Sequence, residues 1–134
     1  MIVVDTNLIG YLFLSSEGSL PAEAVLIKDM DWVAPLLWRS ELRNVLAYYL
    51  RKNLLNLSEA YQIMEEAIHM MRGREYEVTS LHILNLVATS SCSACDCEFV
   101  ALAQELQVPL VTADKQILAQ FPDTAVSLDQ FTTT

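Results

Sequence analysis

The sequence predicts an α/β protein: a three-layer α/β/α sandwich with a central parallel sheet. Two observations carry the prediction. Short apolar or β-branched runs, Ile2–Val4, Trp32–Ala34 and Val108–Thr112, alternate with longer segments of helical periodicity. The first of these runs is apolar throughout, as in strands buried on both faces. Strands separated by helices pair in parallel through right-handed crossovers. The chain has 134 residues, 53% of them apolar, which suits one packed domain spanning residues 1–134.

The elements follow in order. Ile2–Val4 is a strand ending at Asp5, and Thr6-Asn7 opens a helix through Leu8–Leu14. Ser15–Ser19 is a loop, and Pro21 suits the first turn of a helix to about Lys28. Trp32–Ala34 is a strand stopped by Pro35. Residues 37–52 form a helix, with Leu42, Val45, Leu46, Tyr49 and Leu50 at helical spacing. Ser58 is expected to cap a helix through Met71 that Gly73 closes. Glu77-Val78 reads as a brief strand, residues 81–88 as a helix, and Ser93 as the start of a helix to Leu106. Asp114 caps a helix to about Phe121, and Thr124–Ser127 is the last strand. Phe131–Thr134 carries no signal.

Composition excludes several classes. No stretch reaches the roughly 18 uninterrupted apolar residues of a membrane span. Ile2–Val4 has no basic segment before it and stops at Asp5, so no signal peptide is expected. A cytoplasmic protein without a membrane anchor is the expectation. Cys92, Cys95 and Cys97 are too few and too close for a disulfide framework. A closed zinc site would need a fourth ligand, and His69 and His82 lie in other helical segments, so small buried helix residues are the favoured reading. A net charge of −9 argues against a DNA-wrapping protein, yet suits a cation site and a basic protein partner.

Four acids then stand out. Asp5 ends the first strand at the sheet edge where ligands bind in such folds, or else simply caps a helix. Glu41 flanks an apolar helical stripe on the side of Asn44 and Tyr48; the plain alternative is a first-turn glutamate. Asp96 shares the face of Phe99, Val100 and Ala103, whereas Glu98 and Glu105 point away as solvated residues. Its alternative role is a capping box with Ser93. Asp114 follows the strand residues Leu110-Val111 and is also a helix cap. All four can reach one sheet edge. Crowded carboxylates repel and raise one another's pKa, and a divalent cation removes that cost. Hard oxygen donors favour Mg²⁺ or Mn²⁺, and the chemistry that follows is metal-assisted phosphodiester hydrolysis.

These residues carry a resemblance. Val4-Asp5-Thr6-Asn7, Trp38 through Leu46, Asp96 through Ala103, and Leu110-Val111-Thr112-Ala113-Asp114-Lys115 resemble PIN-domain nucleases in order and spacing. The likeness is closest to the VapC-type toxins of toxin–antitoxin pairs. It implies a Mg²⁺- or Mn²⁺-dependent ribonuclease acting on RNA, a homodimer, and a small antitoxin partner. It assigns the metal site to Asp5, Glu41, Asp96 and Asp114, a supporting hydroxyl to Thr112, and softer supporting roles to Asn7 and Ser40. Arg39, Arg43 and Lys115 lie near the acids in sequence and are the expected phosphate contacts. Two departures stand against the family pattern: Cys95 replaces a frequent tyrosine, and no further acid follows Asp114 in Lys115-Gln116-Ile117.

Other readings remain open at this point: a stand-alone PIN nuclease in RNA processing, a non-catalytic PIN-fold interaction module, and an aspartyl-phosphate enzyme. The last is disfavoured because Asn7 stands where such phosphatases carry a second aspartate.

Overall fold

The computed structural model describes residues 1–134. Five short strands form one parallel sheet: β1 (Ile2–Val4), β2 (Trp32–Pro35), β3 (Glu75–Tyr76), β4 (Leu110–Val111) and β5 (Ala125–Val126). Eight helices connect and cover them: α1 (Thr6–Phe13), α2 (Ser19–Lys28), α3 (Leu37–Arg51), α4 (Leu57–Met71), α5 (Ser80–Ala88), α6 (Ala94–Leu106), α7 (Lys115–Gln120) and α8 (Leu128–Thr133). The fold is the three-layer α/β/α sandwich. No helix is long and apolar enough to cross a membrane.

Strand order is β3-β2-β1-β4-β5. The chain therefore builds outward from β1 through β2 to β3, then returns to lay β4 against the other side of β1. The order reverses between β1 and β4, and the crevice beyond the carboxyl ends of those two strands is where such sheets bind ligands. Val3 pairs with Leu110 and Val4 with Val111, so the residues that follow, Asp5 and Thr112, leave the sheet side by side.

Burial follows the apolar pattern. Ile2, Val3, Val4, Leu110 and Val111 are all at or below 1% exposure, which only a strand covered on both faces achieves. Helix α6 packs across β1, β2 and β4, and α5 packs on α6. Helices α1, α2, α3 and α4 pack on one another, with α3 and α4 reaching β2. Of the stripe on α3, Leu42 is fully buried and Leu46 nearly so, with Val45, Tyr49 and Leu50 half-buried against the core; Trp38, outside the stripe, is fully buried too.

Three elements differ from expectation. Helix α4 is capped by Asn56, not Ser58: Asn56 Oδ1 accepts from the Glu59 N–H at 2.8 Å, and Glu59 Oε1 accepts from the Asn56 N–H at 3.0 Å. That reciprocal box satisfies two helix-end donors at once. Strand β3 is Glu75–Tyr76 instead of Glu77-Val78, because Ala34 and Pro35 of β2 set the register two residues earlier. The tail forms α8, started by a second capping box between Ser127 and Gln130. Gly73 does close α4, in the left-handed conformation at φ 77°. The Asn56→Ala variant is expected to lose about 1 kcal/mol of stability in urea unfolding, and Ser58→Ala less than about 0.5 kcal/mol. Equal losses would return the cap to Ser58.

Candidate active site at the strand switch point

A cleft of about 240 Å³ opens beyond β1 and β4, and Asp5, Glu41, Asp96 and Asp114 all line it. The chain brings them there from four elements. β1 delivers Asp5 as the N-cap of α1, α3 carries Glu41, α6 presents Asp96 in its first turn, and Asp114 caps α7. Asp5 and Asp114 are themselves helix caps and Asp96 lies in the first turn of a capped helix, whereas Glu41 lies within α3.

Asp5 is the most constrained. Its Oδ1 accepts from the Leu8 N–H at 3.1 Å, and its Oδ2 accepts from the Thr112 hydroxyl. Thr112 Oγ1 in turn accepts from the Asp114 N–H at 3.0 Å, so one fully buried hydroxyl ties Asp5 to the loop that carries Asp114. Asp114 Oδ1 caps the Ile117 N–H at 3.0 Å. Glu41 Oε1 accepts from the Thr6 hydroxyl at 2.7 Å, which orients the α3 acid from α1. Ser93 Oγ accepts from the Asp96 N–H at 3.1 Å.

The electrostatics are those of unneutralised charge. Burial pushes the Asp5 carboxyl from 3.8 up to about 6, against the opposing hydrogen bonds from Thr112 and Leu8, with Asp114 and Glu41 adding to the rise. Burial likewise raises Glu41, opposed by Thr6 and assisted by Asp96. Burial and then Asp114 raise Asp96, with Ser93 opposing. No lysine or arginine lines the cleft to offset these charges. As the side chains stand, no three acidic, histidine or cysteine groups surround a single point closely enough to grip an ion. The acids border one cavity rather than crowd one spot.

The remaining expected residues fall in different places. Asn7 lines the cleft and is exposed. Ser40 is exposed outside the cleft lining and accepts from Arg43 Nη2 at 3.2 Å. Lys115 is exposed beside Asp114. Arg39 is engaged elsewhere: its Nε and Nη2 donate to the two oxygens of Glu75, each at 2.6 Å, and Trp38 Nε1 donates to the same carboxylate at 2.8 Å. That cluster fastens α3 to β3. Glu98, expected to be solvated, is half-buried and raised by burial and by Glu41. Cys92 and Cys97 are buried as expected, but Cys95 is exposed.

Sequence reasoning missed Thr6, although its place next to Asp5 was a signal. It also missed Phe99 and Ile117, which floor the cleft as ordinary core residues. Asn44, three residues beyond Glu41 on the same helix, completes the lining.

Fold and cleft together define a parallel α/β protein with carboxylates gathered at its strand switch point. A model of the PIN domain matches residues 2–123, and the chain belongs to the PIN domain family. Ribonuclease VapC3 of Pyrobaculum aerophilum is 27% identical to it over 124 residues, covering 90% of this chain and 95% of that protein. The crystal structure of PAE2754 from the same organism superposes with a TM-score of 0.77 at 16% identity, over 98% of this chain and 93% of that one. FitAcB from Neisseria gonorrhoeae gives 0.74 at 20% identity, over 95% and 96%. FitAB bound to an IR36 DNA fragment gives 0.72 at 18% identity, over 96% and 95%. These structural likenesses are likenesses of fold.

The buried Asp5 makes a pH prediction. Its folded pKa lies above the ordinary value, so its contribution to stability is complete below about pH 4 and is lost as pH rises through about 6. The rise corresponds to about 3 kcal/mol. In protein stripped of divalent ions, Asp5→Asn is therefore expected to be more stable than the parent at pH 7.5 and to lose that advantage at pH 4. An advantage independent of pH would show that Asp5 carries no desolvated charge.

Proposed function

We propose that the chain is a divalent-metal-dependent ribonuclease hydrolysing RNA phosphodiester bonds, and the toxin of a toxin–antitoxin pair. The observation that carries this is a cleft lined by four carboxylates and by no basic side chain. Such a donor set fits a hard dication: the oxygens suit Mg²⁺ or Mn²⁺, and the desolvated Asp5 gains most from a positive neighbour. Asp5, Asp96, Asp114 and Glu41 would hold it. Glu41, Asp96 and Asp114 are only half-buried and line the same cleft as Asp5. When bound, such an ion supplies Lewis acidity and offsets charge on a phosphate in flight.

The chain's own residues do the rest. Thr112 fixes the direction of the Asp5 carboxylate and ties it to the backbone of Asp114. Thr6 holds one oxygen of Glu41 and leaves the other to face the cleft or take up a proton from the attacking water. Asn7 and Asn44 offer amides at the cleft wall for the sugar–phosphate chain, and Ser40 supports Arg43 from outside it. Exposed Arg43 and Lys115 are the phosphate contacts, whereas Arg39 serves the fold through Glu75.

The name of the similar Ribonuclease VapC3 supports the toxin role, and the FitAB structure supports a partner protein that binds alongside such a domain. Net charge of −9 suits a basic antitoxin segment. Exposed apolar side chains, Leu54, Leu57 and Tyr61 near the start of α4 and Leu81 and Leu84 on α5, supply surface for an antitoxin and for a homodimer. Residues 1–134 would act as one domain, in the cytoplasm.

RNA is expected to be cut with Mg²⁺ or Mn²⁺ and spared in EDTA. Asp5→Asn and Asp96→Asn are each expected to lower the cleavage rate by at least about 100-fold while circular dichroism stays unchanged. Cleavage by either variant at the parental rate would refute the assignment of the site. Lys115→Ala is expected to weaken RNA binding and flatten its salt dependence, while Arg39→Ala lowers the unfolding midpoint instead. Expression without a partner should arrest growth, and undisturbed growth with an active nuclease would remove the toxin role.

A further inference from the structure

We propose that Tyr11 walls a base-binding subsite that opens off the acidic cleft and holds the nucleobase next to the phosphate being cut. The proposal rests on the ribonuclease reading above and goes beyond it by assigning where a base is recognised.

A second recess, of about 150 Å³, adjoins the cleft and shares Thr6, Asn7 and Val45 with it. Its own walls include Gly10, Tyr11 and Tyr49. Pockets for drug-sized ligands run to roughly 300–1,000 Å³, so this one admits a single planar ring system and not a whole nucleotide. The chemistry fits such a ring. Tyr11 and Tyr49 bring aromatic surface, Val45 and Leu14 bring apolar contact, and the Asn7 amide and Ser16 hydroxyl are polar groups able to read a base edge. None of the residues lining the recess is charged, in contrast to the four acids next door. A phosphate beside the acids and a base in the recess are the two halves of one nucleotide.

Tyr11 is held for this role by an unusual neighbour. A Cβ built on Gly18 would stand 2.6–2.7 Å from three atoms of the Tyr11 ring, closer than real side chains pack. Gly18 has φ −80° and ψ −10°, a conformation any residue adopts, so the backbone does not require glycine there. The ring does. Gly18 leaves the space that the ring occupies, and Ser16, whose Oγ accepts from the Gly18 N–H at 3.3 Å and whose carbonyl accepts from the Ser19 N–H at 3.2 Å, keeps the loop against it. The aromatic wall of the recess is thereby fixed before any ligand arrives, which spares the ordering cost of binding.

Two measurements test this. The first uses a short RNA with one mapped cut site, compared with the same RNA carrying an abasic residue on either side of the cut in turn. The parent protein is expected to cut the intact RNA roughly 10-fold faster than one of the abasic versions, the scale set by a single base–aromatic stack. Tyr11→Ala and Gly18→Ala are each expected to bring that ratio close to one, and Tyr11→Phe to retain it. The second does not depend on cleavage: tyrosine ring resonances are followed by NMR as each of the four nucleoside 5′-monophosphates is added with Mg²⁺, against ribose 5-phosphate as control. Tyr11 is expected to shift with at least one nucleotide and not with the sugar phosphate. If the parent cuts no RNA, the ribonuclease reading fails and the NMR result alone decides the subsite. An abasic ratio near one in the parent, a ratio that survives Tyr11→Ala, or equal shifts with ribose 5-phosphate would overturn the proposal.

Discussion

A carboxylate largely withdrawn from water at the floor of a cleft governs this structure. Asp5 sits at the end of a strand covered on both faces, and only two groups compensate its desolvation: the Leu8 N–H and the Thr112 hydroxyl. The first is a local helix cap, but the second exists only if the sheet is assembled. Thr112 arrives 107 residues later in the chain, on the strand that returns to pair with β1. The crossover from β3 back to β4 is therefore as much a part of the site as the acids. Burial still outweighs the two hydrogen bonds, so the folded chain carries local strain of charge that a bound cation would relieve. Sites that hold such unfavourable charge are where stability is commonly given up for function.

Helix starts place three of the four acids at this edge. Asp5 and Asp114 each close the first turn of a helix, and Asp96 lies in the first turn of a helix capped by Ser93. Glu41 differs: it lies inside α3 and is steered by Thr6. Helix starts point their free N–H groups and the positive end of the dipole toward the same edge, which lessens the repulsion among the acids without abolishing it. The capping geometry also made each aspartate ambiguous in the sequence: a capping aspartate and one that lines a cleft look alike until their common location is known.

Much of the fold was legible because it rests on short-range chemistry. The apolar runs at Ile2–Val4 and Leu110-Val111 state their burial directly, and Gly73 states its turn. What stayed hidden depends on partners distant in sequence. β3 is defined by its register against Ala34 and Pro35, not by its own residues. The pairing of Arg39 with Glu75, 36 residues away, was likewise not visible in the sequence. Glu98 looked solvated on a helical wheel, yet α3 brings Glu41 close enough to perturb it. Asn56 and Ser58 compete as caps at two-residue spacing, and only the reciprocal bond with Glu59 decides between them. The tight seat of Tyr11 on Gly18 has no sequence signature at all.

The account turns on whether a cation is drawn into this cleft by these acids. The most direct measurement is anomalous X-ray diffraction from crystals of the protein grown with Mn²⁺, with data collected on both sides of the manganese edge. The account predicts an anomalous peak inside the cleft, within coordination distance of Asp5 and at least one of Asp96 and Asp114. A peak only elsewhere on the surface, or a cleft without manganese at saturating concentration, would contradict it.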